Sequence, residues 1–407
     1  MNQTPHQTTR SPQAGGWTEL LVTLAIQAIA SMAVLTPPVV APVIALALGI
    51  SPVFAGVYIG VVYVGAMTGS LAAGLMVQRW GPVRVSQGGL AMAGMGLTMF
   101  CSGWVPLMAL GALIMGFGYG PITPASSHLL ARSTPPHRMS LIFSIKQTGV
   151  PLGGILAGAI VPGLLLVIGW RWALAWVALA CIACAVLAQP LRARLDAERD
   201  ASFPLGVRKL AEPARLVAGH TNLRALAICS FFFSAAQLSL TTYTVIYLHT
   251  ELGFGLVAAG FALSVSQMAG VIGRVVWGHI ADSGFGAMRT LALLAFIIVI
   301  CCAGTALLNA ATPLAFILVL LTAFGATAIG WNGVFLAEVA RQAPPGFASL
   351  ATGGVSAFTF FGVVVGPPVF ALLASTAGTY RAGYLALALP MAWCCWRLWR
   401  NYRAIPN

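Results

Sequence analysis

The stretch from Gly273 to Asp282 reads GRVVWGHIAD and closes an apolar run that starts near Phe254. A run of that length is ready to cross a bilayer, yet Arg274 sits inside it. On insertion scales a cation at the centre of such a helix costs about 2.5–3.5 kcal/mol, so a chain seldom keeps one without a use. The same situation recurs once, at Lys146.

The rest of the chain fits a membrane reading. Of 407 residues only 7% are charged and 59% are hydrophobic, with a mean hydropathy of +0.91. Soluble domains carry about 25% charged residues. Apolar runs long enough to span a hydrocarbon core of roughly 30 Å recur along the whole length. The strict alternation of a transmembrane β-barrel is missing. The expected fold class is therefore all-α and integral to a membrane, with twelve transmembrane helices at about 18–43, 53–77, 83–104, 106–131, 139–167, 170–189, 223–248, 254–281, 289–309, 313–340, 349–375 and 381–400.

The net charge of +13 does not indicate nucleic acid, because the basic residues sit in short loops between apolar runs. With the N-terminus inside, inner segments carry seventeen Lys and Arg and outer segments two, Arg171 and Arg381; Lys146 and Arg274 complete the 21. Both termini and the central loop are thus expected in the cytoplasm. The eight cysteines all lie in apolar runs and imply helix packing, Cys181 and Cys184 included, and no disulfide framework. The expected organisation is a disordered cytoplasmic tail (1–16), a six-helix bundle (17–189), a cytoplasmic central loop (190–222) and a second six-helix bundle (223–407).

The halves repeat one another. At an offset of 209, Gly116, Arg132, Pro135, Pro136, Ser140, Leu141 and Gly153 meet Gly325, Arg341, Pro344, Pro345, Ser349, Leu350 and Gly362. At an offset of 204, Gly56, Gly69 and Gly74 meet Gly260, Gly273 and Gly278. Six spans per copy is an even number, so both copies run the same way through the membrane. This parallel repeat implies a cavity between the halves and alternating access by rocking.

Twelve spans in two sixes, a basic central loop and a glycine-flanked basic turn after span 2 resemble the major facilitator superfamily. Its signature runs roughly G-x-L-A-D-R-x-G-R. This chain has GLMVQRWGPVR, keeping Gly74, Arg79, Gly81 and Arg84, with Gln78 where the family has aspartate. The second copy, GHIADSGFGAMR, keeps Gly278 and Asp282 but has Ser283 for the arginine and one extra residue before Gly286. The resemblance covers nearly the whole chain. It implies that these six residues form a gate that latches the cytoplasmic side of the outward-open state, weakened here by the loss of the first acid. An arginine in span 8 resembles the anion-binding arginine of the monocarboxylate and oxalate branches.

Lys146 and Arg274 are the candidate substrate-binding pair. Arg274 lies eight residues, roughly 12 Å, inside Asp282, and Lys146 about 10 Å from the start of span 5. Gln267, Gly270, Arg274 and Ala281 share one helical stripe. For both cations, snorkelling to the interface or pairing with an acid is the alternative role. The repeat favours function, because Lys146 corresponds to Val355 and Arg274 to Ser70, so packing demands neither charge. Gln27, Tyr243, Gln267, Trp331 and Asn332, at pore positions of the resembled family, are further candidates for orienting a ligand.

No acid lies at mid-membrane: Glu19, Asp282 and Glu338 fall near inner span ends, Glu251 in an outer loop and the other four in the central loop. Such a cavity prefers a small organic anion, and protons are the candidate coupling ion, without an identified carrier. His128 and Arg132, near an inner end, read as interface residues. GVPLGG (Gly149–Gly154) resembles the antiporter signature G-P-x-x-G-G of span 5, with Val150 set between the glycine and Pro151, and GVVVGPP (Gly362–Pro368) reads as a helix bend and close packing. GFGYG (Gly116–Gly120) follows no strand and lacks the P-loop lysine, so it is no phosphate cradle. No catalytic cluster, cofactor motif or metal-ligand set stands out. The expectation is a monomeric secondary transporter of a monocarboxylate-like anion in a bacterial inner membrane, not an enzyme. Proton-driven efflux of drugs or hydrophobic compounds is the alternative, and a membrane receptor or scaffold the third reading.

Overall fold

A computed structural model describes residues 16–50, 54–204 and 206–403. Apart from Gly16, the expected tail at 1–16 lies outside the described residues. Among these the chain is helical throughout: α1 (Gly16–Leu48), α2 (Phe54–Trp80), α3 (Pro82–Phe100), α4 (Val105–Tyr119), α5 (Ile122–Ser133), α6 (Met139–Gln147), α7 (Gly149–Leu187), α8 (Arg192–Leu195), α9 (Glu212–Gly219), α10 (Thr221–Thr250), α11 (Leu256–Ile280), α12 (Ala287–Leu307), α13 (Leu314–Ala328), α14 (Asn332–Gln342), α15 (Ala348–Ala377) and α16 (Tyr380–Arg403).

Nine described stretches are long and apolar enough to cross a membrane. The expectation of twelve differs for three identifiable reasons. Pro136–Leu195 counts once but bends back at Gly169, whose φ of 78° and ψ of 165° break α7 into two arms. Arg84, Ser86 and Gln87 dilute α3, and tyrosine, tryptophan and Arg397 dilute α16.

The repeat is visible in local geometry. Span 4 is broken between α4 and α5, and its counterpart between α13 and α14, at positions related by the 209-residue offset. Gly81 and Gly286 start α3 and α12 with φ of 87° and 89°, a region that glycine enters without steric cost. The extra residue in the second copy is absorbed by a widened π-type turn, Ala281–Phe285, in which Gly284 also has positive φ.

The helices pack around two apolar cores. One joins side chains such as Ile26, Val62, Leu97, Met115 and Leu174. The other joins Leu226, Leu240, Ile298, Phe324 and Tyr384, and reaches across to Leu130, Met139 and Phe143. The halves meet where α2 packs on α15 and α6 packs on α11 and α14. Gly74 and Gly278, equivalent by the repeat, make two of the close approaches. A Cβ on Gly74 would stand 2.5 Å from Leu350 Cδ1 and 2.8 Å from its Cα. One on Gly278 would stand 2.5 Å from Ser144 Oγ and 2.9 Å from the Ser140 oxygen. Both contacts lie on the side of the basic loops, so the structure is closed there.

The central loop is not featureless. Asp196, beside α8, accepts hydrogen bonds from the backbone N–H of Val83 (2.8 Å) and Arg84 (3.1 Å), capping the start of α3. Burial pushes its carboxyl above the usual range, against the pull of those two donors. Helix α9 lies on α15, with the Pro213 oxygen set against Gly354.

Candidate functional site

Lys146 and Arg274 are 1% and 2% exposed, among the largest fully buried side chains of the protein. The break after α6 places Gln147 between them. The Arg274 guanidinium donates to the Gln147 backbone oxygen and, at 3.1 Å, to the Ile329 oxygen. That second carbonyl is available because the break between α13 and α14 leaves it outside the helical ladder. Lys146 Nζ donates to Gln27 Oε1 at 2.8 Å and to Gln147 Oε1 at 3.2 Å. Gln27, fully buried on α1, also accepts from Thr123 Oγ1 (3.2 Å) and donates to Ser31 Oγ (3.2 Å) and Tyr119 Oη (3.3 Å).

Among the described residues neither cation has a carboxylate partner. All eight acids are engaged elsewhere or lie in the loops. Glu19 pairs with Arg194, Asp196 with Arg192, Glu198 with Arg132, and Asp282 and Glu338 with Arg341. Glu251 binds Thr379 and the Tyr380 N–H, Asp200 binds Ser202, and Glu212 opens α9. Isolated buried charge is costly, so two uncompensated cations within one hydrogen-bond network need an anion or a change of protonation.

A cavity of about 90 Å³ opens beside them between the halves. Arg274, Gln147, Tyr119, Thr123, Trp331 and Asn332 line it, while Lys146 stands behind Gln27 and Gln147. Trp331 Nε1 and Asn332 Nδ2 both donate to Gln237 Oε1, at 3.0 and 3.2 Å, and the rings of Tyr63 and Phe360, 5.7 Å apart, also line the cavity. Trp331 is fixed by stacking on Phe233, with ring centroids 5.1 Å apart.

Two sequence candidates stand apart from this group. Gln267 is exposed and outside the cavity lining, although its helical stripe is that of Arg274. Tyr243 donates to the Pro367 oxygen at 2.9 Å and stacks on Phe370, a packing arrangement. Conversely, Gln147, Tyr119 and Thr123 belong to the network, and Gln237 to the cavity wall, without having been singled out. The clue for Gln147 and Thr123 was proximity to a helix break; Gln237 gave none.

The six gate candidates divide. Gly74 and Gly278 are the close approaches described above. Asp282 bridges the halves: it accepts from the N–H groups of Ser140 (3.1 Å) and Leu141 (2.7 Å) at the start of α6, and pairs with Arg341 at 2.9 Å. Gly81 and Arg84 serve the Asp196 cap. Arg79 donates to the Phe203 oxygen at 2.7 Å in the central loop.

A family model described as Major Facilitator Superfamily matches residues 21–353. The chain belongs to the major facilitator superfamily. An uncharacterized MFS-type transporter of Mycobacterium tuberculosis (strain CDC 1551 / Oshkosh) is 28% identical over 280 residues, covering 68% of this chain. The match spans 61% of that relative's own length. Among solved structures, a bacterial homologue of the iron transporter ferroportin in an outward-facing state aligns with a TM-score of 0.77, 15% identity and coverage of 95% and 99% of the two chains. The human organic anion transporter MFSD10 aligns at 0.76, 16%, and 95% and 100%. The E. coli fucose:proton symporter FucP aligns at 0.73, 17%, and 98% and 100%. At these identities the likeness shows the fold, that of a multi-pass helical membrane protein.

Proposed function

We propose that the chain is a secondary transporter that works by alternating access and carries a small organic anion of the monocarboxylate type. The observation that supports this reading is the buried, carboxylate-free Arg274 at the wall of a cavity between the halves. Its held guanidinium presents its remaining N–H groups to a ligand, and Lys146 adds a second positive charge through Gln147 and Gln27. Planar guanidinium matches planar carboxylate. Size points the same way. An engineered cavity of about 150 Å³ takes benzene, so 90 Å³ suits a short acid better than an aromatic one. The fold itself does not choose, since its structural neighbours include a sugar symporter and an organic anion transporter.

The aromatic walls, Tyr63, Tyr119, Trp331, Phe335 and Phe360, favour a second reading, efflux of hydrophobic compounds. Counterflow in proteoliposomes separates the two, with pyruvate, lactate, oxalate and benzoate on one side of the panel and hydrophobic cations on the other. The anion reading expects exchange of at least one acid, lost in Arg274→Ala. Exchange of cations alone, or acid exchange unchanged in Arg274→Ala, contradicts it. The basic loops support cytoplasmic termini, and placement in a bacterial inner membrane belongs to the same proposal.

A further inference from the structure

Building on the anion reading, we infer that Lys146 is the proton carrier of this protein, binding its proton together with the substrate anion and releasing it when the anion leaves.

The two cations are held by different kinds of partner. Arg274 is held by two backbone carbonyl oxygens, Ile329 and Gln147, which can only accept. That shell serves a permanent donor and nothing else. Lys146 is held by two primary amides, and behind Gln27 stand the hydroxyls of Ser31, Tyr119 and Thr123. Every one of these groups can donate or accept. A half-turn of the Gln27 amide would offer Nε2–H to an uncharged amine and Oε1 to the Ser31 and Tyr119 hydroxyls. The Ser31–Tyr119 hydrogen bond, at 3.4 Å, can run in either direction. The shell therefore satisfies both the ammonium and the amine, whereas a carboxylate partner would favour the charged form alone.

Charge balance links the two events. With the anion bound, two cations and one anion leave one net positive charge in the interior. With the anion gone, loss of the Lys146 proton restores that same balance. In each cycle the ammonium N–H breaks and its proton leaves to water on the side where the anion is released; the amine takes a proton from water on the side where the next anion enters. Tyr119 and Thr123 line the cavity and touch Gln27, so the network reaches from Lys146 to the water. By linkage, an anion that favours the protonated form must raise proton binding to the same extent.

No other charged group is as well placed. Of the elements packed against α6, α1 brings Glu19, bound to Arg194 and about 12 Å along the helix from Gln27. Helix α5 brings His128 and Arg132 near its inner end, α11 brings Arg274 and the exposed His279, and the following turn brings Asp282. Helix α14 brings Glu338 and Arg341, which meet α6 at Ser140. The Pro136–Arg138 turn before α6 adds His137 and Arg138, also at the inner end.

The full chain in proteoliposomes, with a pH dye trapped inside and pyruvate as the probe, tests this. Wild type is expected to bring in about one proton per pyruvate. In Lys146→Arg, whose charge is permanent, that ratio falls towards zero while pyruvate-for-pyruvate exchange remains measurable. A second measurement needs no variant: pyruvate added to detergent-purified wild type in weakly buffered solution should withdraw about one proton per site from the medium across the neutral range. Wild-type transport or binding without proton uptake, or a Lys146→Arg protein with the wild-type ratio, overturns the inference and leaves the anion reading standing. Absence of any Arg274-dependent acid exchange overturns both.

Discussion

Gln27 makes hydrogen bonds to four side chains, more than either buried cation, and three of those partners sit on other helices. Replacing it with the similarly sized leucine leaves Lys146 without its nearest acceptor and Thr123 with an unpaired hydroxyl. An unsatisfied buried polar group costs about 1–3 kcal/mol and a charged one more. Thermal unfolding of detergent-purified Gln27→Leu should therefore show a clear fall in midpoint relative to wild type, and an unchanged midpoint would mean that water replaces the amide. Much of the candidate site was legible at this scale. Arg274 and Lys146 stand out because a charge in an apolar run has a known cost, and their repeat partners Ser70 and Val355 show that the scaffold forms without them. Gln147, Gln237 and Tyr119 did not stand out, since neutral polar residues are tolerated in membrane helices and carry no comparable signal. Gln267 was misplaced because an ideal 100° step fixes a residue's direction on its own helix but not which neighbour covers it.

The two gate turns, alike in sequence, act differently as elements. In the second copy Asp282 meets the Ser140 and Leu141 N–H groups at the start of α6 and holds Arg341. By the repeat, the first copy would set residue 78 against Ser349 and Leu350 at the start of α15, with Arg132 alongside. Gln78 carries no charge, and Arg132 is bound instead to Glu198. The basic side is thus latched by charge on one side only. The missing aspartate was readable from the sequence. That Asp282 crosses between halves, and that Asp196 of the central loop caps α3, were not, because both depend on chain segments far apart in sequence. A carboxylate at a helix start contributes up to about 2 kcal/mol in partly buried geometry. Asp282→Asn should therefore enlarge the population open on the basic side about 5- to 30-fold, and Gln78→Asp should reduce it by supplying the second latch. Electron–electron distance measurements between labels at His137 and Phe285, on facing turns, would read both. Unchanged distance distributions in Asp282→Asn would mean that the latch contributes nothing to closure.

For the whole molecule, the duplicated glycine turns and the seventeen-to-two distribution of basic residues already specify two parallel copies around a central cavity. Packing adds the state: Gly74 against Leu350 and Gly278 against Ser144 close the basic side beneath that cavity. On the proposed reading, rocking would separate these two contacts to release a ligand on the basic side, and the ligand would tie Arg274 to the facing wall while they are closed. Cavity chemistry was harder to foresee than topology, since its walls come from nine helices, α2, α4 to α7, α10, α11, α14 and α15, whose rotation about their own axes is set only by packing. The central claim is that an anion occupies this cavity on Arg274. Equilibrium binding of labelled pyruvate, lactate and oxalate to detergent-purified protein tests it most directly. The account predicts saturable binding of at least one acid to wild type, weakened at least about tenfold in Arg274→Lys by loss of the planar donor pair; binding of equal strength in that variant, or no binding of any acid to wild type, would contradict it.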